Sequence, residues 1–270
     1  MIPLPALPIT LISTLDRGGP DSFDVVHTAQ ELLTAVQGSP DAVTAGDKER
    51  WVNLYCEDGV VNDPVGSAPH VGKAAIARFY DTFIAPNTIN FHVDNDVVSG
   101  MSVVRDLSLE TIMSTGATLN VPMHLRYDLV EENGALKIQR LEAHWELATM
   151  IRQLLGAGSA GLVASAKLTP QLIGNQGVAG VVGFMRGLQS VGSKGKQAAR
   201  AALEGDHAVD MKFIDGEPIS EAHRPGSCRK FIAAGRTVSA TTQSPSGNGV
   251  VFVRFAPRSL DIEATTLFPG

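Results

Sequence analysis

The sequence predicts an α+β fold in which helices cover one face of a curved antiparallel sheet. Three observations predict it. Apolar residues recur at helical spacing as far as Phe83, and from Pro86 to Trp145 their period changes to two. A helical stretch rich in Gly and Ala then precedes a second β-rich run. Because this repeats the order of the first half, we predict that the C-terminal half is a shortened, degenerate copy of the same fold.

The composition is that of an ordinary globular protein, with 270 residues of which 44% are hydrophobic and 19% charged. The net charge of −6 argues against a nucleic-acid partner, since phosphates are neutralised by clustered Lys and Arg. Cys56 and Cys228 lie far apart and indicate no disulfide framework, which favours a reducing, cytoplasmic location. No apolar run is both long enough and free enough of Gly, Pro and charge to span a bilayer.

Three helices are predicted before the strands begin. The first covers residues 21–37, with Asp21 or Ser22 as its N-cap, and the second starts at Asp47. The third follows Gly72, and its apolar residues have the spacing of a helix packed on a sheet. They are Ile76, Phe79, Tyr80 and Phe83.

A short strand from Gly59 is predicted between the second and third helices, and it ends in a turn because Pro64 and Gly66 interrupt regular pairing. Long strands with alternating apolar residues follow Pro86. The alternation changes phase between Ile138 and Leu141, which predicts a β-bulge.

The pattern divides the chain into three parts. A first domain covers residues 20–148, a helical connection rich in Gly and Ala covers 149–205, and a β-rich region covers 206–270. The connection contains a G-x-G-x-x-G string at 156–161. No strand–turn–helix pattern surrounds that string, so we interpret it as a flexible connection and not as a dinucleotide site.

The run from Leu54 to Tyr80 resembles bacterial ketosteroid isomerases of the NTF2-like, or SnoaL-like, superfamily. The resemblance is strongest at Asn62-Asp63-Pro64-Val65-Gly66-Ser67. It extends more thinly from Gly46 to Trp145, roughly a third to two-fifths of the chain. It implies a cone of helices and sheet around a pocket, and a steroid delta-isomerase activity that needs no cofactor.

Asp63 matches the general base of that family, the aspartate that precedes Pro-Val-Gly. A base that moves a proton between two carbons needs a carboxylate in an apolar pocket, where burial raises its pKa. Val60, Val61, Pro64 and Val65 surround Asp63 in sequence and offer such a wall. The alternative is an Asp before Pro that only caps a turn. The extended match favours the base.

The oxyanion donors of the family are a tyrosine on the first helix and a protonated aspartic acid on a central strand. The tyrosine position holds Ser39, and no tyrosine precedes Tyr55. The second donor falls at Asp128, which shares a strand face with His124. If that face lines the pocket, Asp128 is the donor and His124 contacts substrate. If it faces solvent, Tyr127 is the candidate donor.

The resemblance implies further site residues. Tyr80 supports the oxyanion network, or else is an ordinary core aromatic. Trp145 lines the pocket and stacks against an apolar ring system. Tyr55, Val65 and Phe79 complete the predicted substrate contacts, with Tyr55 alternatively in the core. The histidines lack metal-ligand spacing such as H-E-x-x-H, and nothing in the sequence implies a metal or another cofactor.

Three functions remain open at this point. The first is isomerisation of a 3-oxo steroid or similar polycyclic ketone, which makes a small, apolar, polycyclic molecule the expected ligand. The second is a polyketide-cyclase-like or dehydratase-like reaction that pairs Asp63 with His124 or His144. The third is a non-catalytic carrier of a steroid or another lipid.

The role of the C-terminal half is open as well. In one arrangement it packs against the first half in the way that two subunits pair in the family's dimers, which gives a pseudo-dimer in one chain. In the other arrangement its helices cap the mouth of the pocket. A homodimer is an additional expectation. Asp206, Asp210 and Asp215 are the carboxylates near a comparable strand, and none precedes Pro-Val-Gly. We therefore predict that the C-terminal half is catalytically silent.

Overall fold

A computed structural model describes residues 27–205 and 210–270. The N-terminal half contains three helices, one turn of π-helix and six strands. They are α1 Ala29–Thr44, α2 Lys48–Asn53, β1 Tyr55–Asn62, β2 His70–Val71, α3 Lys73–Phe79, the π-helical Tyr80–Ile84, β3 Asn87–Ser99, β4 Ser102–Met113, β5 Thr118–Glu132 and β6 Ala135–His144. The predicted α+β class is confirmed.

The C-terminal half begins with helices and ends with strands. Its elements are α4 Leu147–Gly156, α5 Gly158–Met185, the 3-10 turn Arg186–Leu188, α6 Gly192–Glu204, β7 Met211–Phe213, the 3-10 turn Glu221–His223, β8 Ser227–Ala234, β9 Thr237–Ser244, β10 Gly247–Phe255 and β11 Ile262–Phe268. No helix of the described residues combines the length and apolar character needed to cross a membrane.

The first helix begins with a capping box. The Thr28 side chain accepts a hydrogen bond from the Glu31 backbone N–H, and the Glu31 carboxylate accepts one from the Thr28 N–H at 2.7 Å. The helix continues to Thr44, beyond the predicted end at residue 37. Residues 21–26, with both predicted cap residues, lie outside the described part of the chain.

The larger sheet has the strand order β2-β1-β6-β5-β4-β3. Strand β1 runs parallel to β6, and the other neighbours are antiparallel. The predicted bulge is present in β6, since Arg140 pairs with Asp128 and Ile138 pairs with Leu129. This irregularity bends the sheet, so that one face becomes concave and can enclose a ligand.

An aromatic cluster joins the helices to this concave face. The buried Trp51 ring lies 5.0 Å from Tyr55, 6.1 Å from Phe79 and 5.5 Å from Tyr80 between ring centroids. Large aromatic side chains contribute roughly 1.5–3 kcal/mol each when fully buried. The cluster therefore holds α2, α3 and the start of β1 in fixed relation to the sheet.

The smaller sheet has the strand order β7-β11-β10-β9-β8, with β7 parallel to β11 and the other pairs antiparallel. The order and directions repeat β1-β6-β5-β4-β3 of the larger sheet, without a strand equivalent to β2. Helix α6 packs on this sheet through Ala199 and Leu203. Strand β8 was not predicted, because the apolar residues in its sequence do not alternate. Val209 and Asp206 lie outside the described residues.

The two sheets face each other through the convex side of the larger one. His124 is fully buried there, with Nδ1 2.8 Å from the Ser239 hydroxyl and Nε2 3.1 Å from the Thr241 hydroxyl. The Lys230 ammonium donates to Asp106 at 2.5 Å. The two halves of the chain therefore meet through a buried polar network as well as through apolar side chains.

Candidate active site

An apolar cavity lies between the helices of the N-terminal half and the concave face of its sheet. The space free of atoms is about 1110 Å³ when the open mouth of the cavity is counted with it. Its walls are mostly aliphatic and aromatic, and they include Phe79, Leu125, Leu141 and Trp145. Among the described lining residues, Asp63 is the only one that carries a charge.

The Asp63 carboxylate follows directly after the last residue of β1. The Trp145 indole Nε1–H donates a hydrogen bond to Asp63 Oδ1 at 2.6 Å. Burial raises the pKa of Asp63 to about 6, and the hydrogen bond from Trp145 offsets part of that rise. Asp63 is thus mostly ionised at neutral pH while its proton affinity exceeds that of an exposed aspartate, as a general base requires.

The loop after Asp63 is held by hydrogen bonds on several sides. The Val65 N–H donates to the Ala143 carbonyl at 2.9 Å, and the Ser67 hydroxyl donates to the Pro64 carbonyl at 2.7 Å. Ala68 donates its N–H to the Gly183 carbonyl of α5 at 3.0 Å. The backbone next to Asp63 is therefore supported by β6 and by the helical region.

A close approach of two glycines brings the C-terminal half to the same loop. Gly66 has φ +100° and Gly235, in the turn between β8 and β9, has φ +53°. A Cβ atom on Gly66 would lie 2.6 Å from the Gly235 Cα. Only glycine fits such a backbone contact, so the loop that carries Asp63 rests directly on the C-terminal half.

Tyr127 lines the cavity and belongs to a hydrogen-bond network with Ser39. The Trp51 indole N–H donates to the Ser39 hydroxyl at 3.0 Å. Burial raises the pKa of Tyr127, while the nearby Arg105 charge and the hydrogen bond with Ser39 lower it. Ser39 occupies the position at which the resemblance predicts a tyrosine. Its hydrogen bond orients the Tyr127 hydroxyl, which is an O–H donor beside the cavity.

A buried ion pair lies behind Tyr127. Arg105 pairs in register with Leu125, so both side chains point to the concave side of the sheet. The Arg105 guanidinium donates to both oxygens of Asp96, at 2.7 and 2.9 Å. The Arg105 charge favours negative charge on the Tyr127 oxygen, and the Asp96 carboxylate opposes that effect more weakly.

The prediction that Asp128 lies in the pocket is wrong. Asp128 accepts hydrogen bonds from the Ser102 hydroxyl at 2.7 Å and from Arg126 Nε at 2.9 Å, on the convex face of the sheet. The alternation of side chains along β5 does place Asp128 and His124 on the same face of the sheet, as predicted. That face, however, packs against the C-terminal sheet. Since His124 and His144 both lie on it, the prediction of either histidine as the acid–base partner of Asp63 is wrong as well.

Three further predicted contacts do not line the cavity. Tyr55 and Tyr80 are buried in the aromatic cluster, and neither hydroxyl has a hydrogen-bond partner among the described residues. Val65 contributes its backbone to the loop after Asp63, and its side chain lies outside the lining. Four predicted site residues do line the cavity, and their roles remain predictions. They are Asp63, Phe79, Tyr127 and Trp145.

Part of the cavity wall was not predicted from the sequence. Met150 and Leu154 of α4 line it together with Phe184 of α5, whose ring stacks on Phe83 at 5.1 Å. Their helical spacing was visible, but nothing in the sequence linked them to this pocket. They agree with the alternative in which the helical region covers the pocket. In the described part of the chain, no three His, Cys, Asp or Glu side chains form a group that could hold a metal.

Comparison with known proteins gives the following similarities. The sequence profile of the SnoaL-like domain family matches residues 36–139. A Delta 5-3-ketosteroid isomerase from Mycobacterium sp. is 32% identical, with 44% of this chain and 95% of that chain covered and a TM-score of 0.40. A Mycobacterium tuberculosis protein, solved in complex with estradiol-17beta-hemisuccinate, is 28% identical with 44% and 95% covered and a TM-score of 0.40.

A further similar structure is described as a putative polyketide cyclase from Xanthomonas campestris pv. campestris. It is 20% identical, with 46% of this chain and 96% of that chain covered and a TM-score of 0.39. The profile match covers part of α1, all elements from α2 to β5 and part of β6 as far as Gln139, and it ends before the cavity-lining residues of α4 and α5. The superfamily predicted from the sequence is thereby confirmed: residues 36–139 form a SnoaL-like domain of the NTF2-like superfamily.

Proposed function

We propose that this chain is a cofactor-independent isomerase that moves a carbon–carbon double bond in a 3-oxo steroid or a similar polycyclic ketone. The observation that carries the proposal is the single carboxylate, Asp63, facing an otherwise apolar cavity with a pKa of about 6. A cavity with mostly apolar walls favours a ligand with a large apolar surface and few polar anchors.

In the proposed reaction, the Asp63 carboxylate removes a proton from the carbon between the ketone and the alkene. The electrons of that C–H bond form a dienolate, and negative charge develops on the ketone oxygen. Asp63 then returns the proton two carbons further along, which leaves the double bond conjugated with the ketone. No oxidant or reductant is consumed, so the chemistry balances within substrate and base.

Tyr127 is the proposed donor to the dienolate oxygen, in place of the pair of donors that the resemblance implies. Its position in the cavity, its hydrogen bond with Ser39 and the nearby Arg105 charge support that role. A hydroxyl already oriented by its neighbours stabilises the developing charge without having to reorganise. Trp145 holds the Asp63 carboxylate through its indole N–H and presents its ring to the cavity.

The experiment is an ultraviolet assay of conjugated enone formation from 5-androstene-3,17-dione. We expect turnover by the wild type and a loss of about a hundredfold to ten-thousandfold in kcat for Asp63→Asn. Asp215→Asn is the matched control, because Asp215 follows the equivalent strand β7 but is exposed. Turnover that survives Asp63→Asn, or no turnover by a folded wild type, would discard the proposed reaction.

The carrier hypothesis remains the second candidate, and Ser39 at the tyrosine position is the observation that favours it. Loss of one oxyanion donor typically costs a hundredfold or more in rate. Fluorescence titration of Trp51 and Trp145 with the same steroid would separate the two candidates. Saturable quenching without turnover indicates a carrier, and quenching with turnover indicates the isomerase.

A further inference from the structure

The helical segment 147–203 differs in charge from the rest of the chain. It contains no Asp or Glu and six Lys or Arg residues. The rest of the chain therefore contains 16 of the 22 basic residues and all 28 acidic residues. An otherwise acidic protein thus carries one distinctly basic region, and a uniform sign of charge attracts a surface of the opposite sign.

The same segment exposes large apolar side chains. Of the twelve that are exposed among the described residues, seven lie between positions 155 and 188. They are Leu155, Val163, Ile173, Val178, Val182, Met185 and Leu188. Val178 is 71% exposed and Leu155 57%. A helix that is apolar on all sides normally lies in a protein core or in lipid, so this exposure indicates a contact surface.

This exposed surface is continuous with the cavity wall. Leu154 lines the cavity, and the next residue, Leu155, points outward. Phe184 also lines the cavity, while Val182 and Met185 on the same helix are exposed. Helices α4 and α5, which we call the cavity-side helices, therefore contribute side chains both to the cavity wall and to the exposed surface.

We propose that the cavity-side helices dock on the surface of membranes that contain anionic lipids. The exposed apolar side chains enter the boundary between headgroups and acyl chains, and basic side chains contact the headgroups. Three exposed basic residues are available for that contact: Arg152 on α4, Arg186 in the turn after α5 and Lys194 on α6. Lys196 is not, because its ammonium is paired with Glu146 at 2.6 Å. The inference concerns the membrane surface at which the cavity would encounter an apolar ligand. It does not depend on the reaction proposed at Asp63.

Charge favours a membrane over a second copy of the chain as the occupant of this surface. A symmetric dimer through the cavity-side helices would bring the basic segments 147–203 of both copies toward each other, and like charges at an interface are costly. An anionic lipid surface instead attracts each basic side chain, by about 1 kcal/mol for each one near the surface. The absence of any Asp or Glu from residues 147–203 favours docking on an anionic lipid surface over a symmetric dimer.

The test is flotation of the full chain with vesicles of pure phosphatidylcholine, or of phosphatidylcholine and phosphatidylglycerol in equal parts. We expect binding to the mixed vesicles that weakens as salt is raised. The double variant Val178→Glu and Val182→Glu should lose at least tenfold in the partition coefficient. The partition coefficient of the double variant Arg186→Gln and Lys194→Gln should also fall tenfold or more, because each basic side chain near the surface contributes about fivefold.

Val71→Glu is the matched control, since Val71 is 59% exposed on β2 and lies outside the cavity-side helices. It should bind vesicles like the wild type. No binding of wild type to mixed vesicles, equal binding to both vesicle types, or unchanged binding by both double variants would overturn the proposal. Sedimentation velocity completes the test. A wild-type dimer that Val178→Glu and Val182→Glu convert to a monomer, without vesicle binding, would identify the surface as a contact between copies.

Discussion

The two sheets of this chain share one strand order but differ in what covers them. In the N-terminal half, α1, α2 and α3 stand away from the concave face and leave a cavity lined by apolar side chains. In the C-terminal half, α6 lies directly against the sheet, and Ala199 fills the space between them. A pocket on this topology therefore depends on the helical layer and not on the sheet.

The ends of the first strands show the same contrast. Asp63 follows β1 and faces the cavity, and its pKa is raised by burial. Asp215 follows soon after β7, where it is exposed and accepts a hydrogen bond from the Glu217 N–H. A carboxylate at a similar point of the topology is thus a candidate base in one half and a turn residue in the other. The predicted catalytic silence of the C-terminal half rests on this difference and remains a prediction.

The largest expected effect concerns the network that joins the halves. Lys230→Met should lower the free energy of unfolding by about 3 kcal/mol or more, because it leaves the buried Asp106 carboxylate without its cation. Urea unfolding followed by circular dichroism would measure the change. Lys212→Met is the control, since the Lys212–Asp210 pair is exposed and its loss should cost under about 1 kcal/mol. Equal effects of the two substitutions would contradict a stabilising role for the network.

The next effect separates the two buried tyrosines. Tyr127→Phe should lower kcat for the ketosteroid about a hundredfold or more, because it removes the proposed oxyanion donor from the cavity. Tyr80→Phe should change kcat only a few-fold, since the Tyr80 hydroxyl lies outside the cavity lining. Steady-state kinetics of both variants would show which of the two tyrosines contributes more to kcat. A larger loss in Tyr80→Phe would return the oxyanion role to the residue predicted from the resemblance.

The smallest effect follows from the titration of Asp63. Because the folded-state pKa is about 6, above the ordinary value of 3.8, kcat/KM should fall about tenfold per pH unit below pH 6. The same shift means that the folded state binds a proton more tightly than the unfolded state. The ionised carboxylate therefore destabilises the fold above pH 6, and that cost disappears as the pH falls toward 4.

The substitution Asp63→Asn should accordingly stabilise the protein at pH 8, by about 3 kcal/mol, and have little effect at pH 4. The amide oxygen can still accept the hydrogen bond from Trp145, so the comparison isolates the charge. Thermal unfolding at both pH values measures this. Asp215→Asn, at an exposed carboxylate near the end of β7, is the control. A loss of stability in Asp63→Asn at pH 8 would refute the proposed desolvation of Asp63.

The sequence was sufficient to place residues that lie within the stretch resembling a known family. Asp63 and Trp145 could be found because the loop after β1 and the end of β6 lie within one domain with a recognisable pattern. The bulge in β6 was also visible, as a change of apolar phase. Asp128 was misplaced because parity defines which residues share a face but not what covers that face. Here a second sheet covers it, and its Ser239 and Thr241 satisfy the polar side chains.

The helical wall of the cavity could not be assigned for a related reason. Met150, Leu154 and Phe184 belong to helices whose apolar residues face both inward and outward, so no stripe distinguishes the cavity side. Strand β8 escaped detection because much of it is buried between the larger sheet and α6, and its apolar residues do not alternate.

The contact between Gly66 and Gly235 has a consequence for how this chain can diverge. A side chain at either position would strike the backbone of the other, so neither glycine can be exchanged while its counterpart stays in place. Selection for an intact loop after Asp63 therefore extends to a turn that lines no part of the cavity. Over evolutionary time, the turn between β8 and β9 should drift as slowly as the loop after Asp63, even where the sheet around it changes freely.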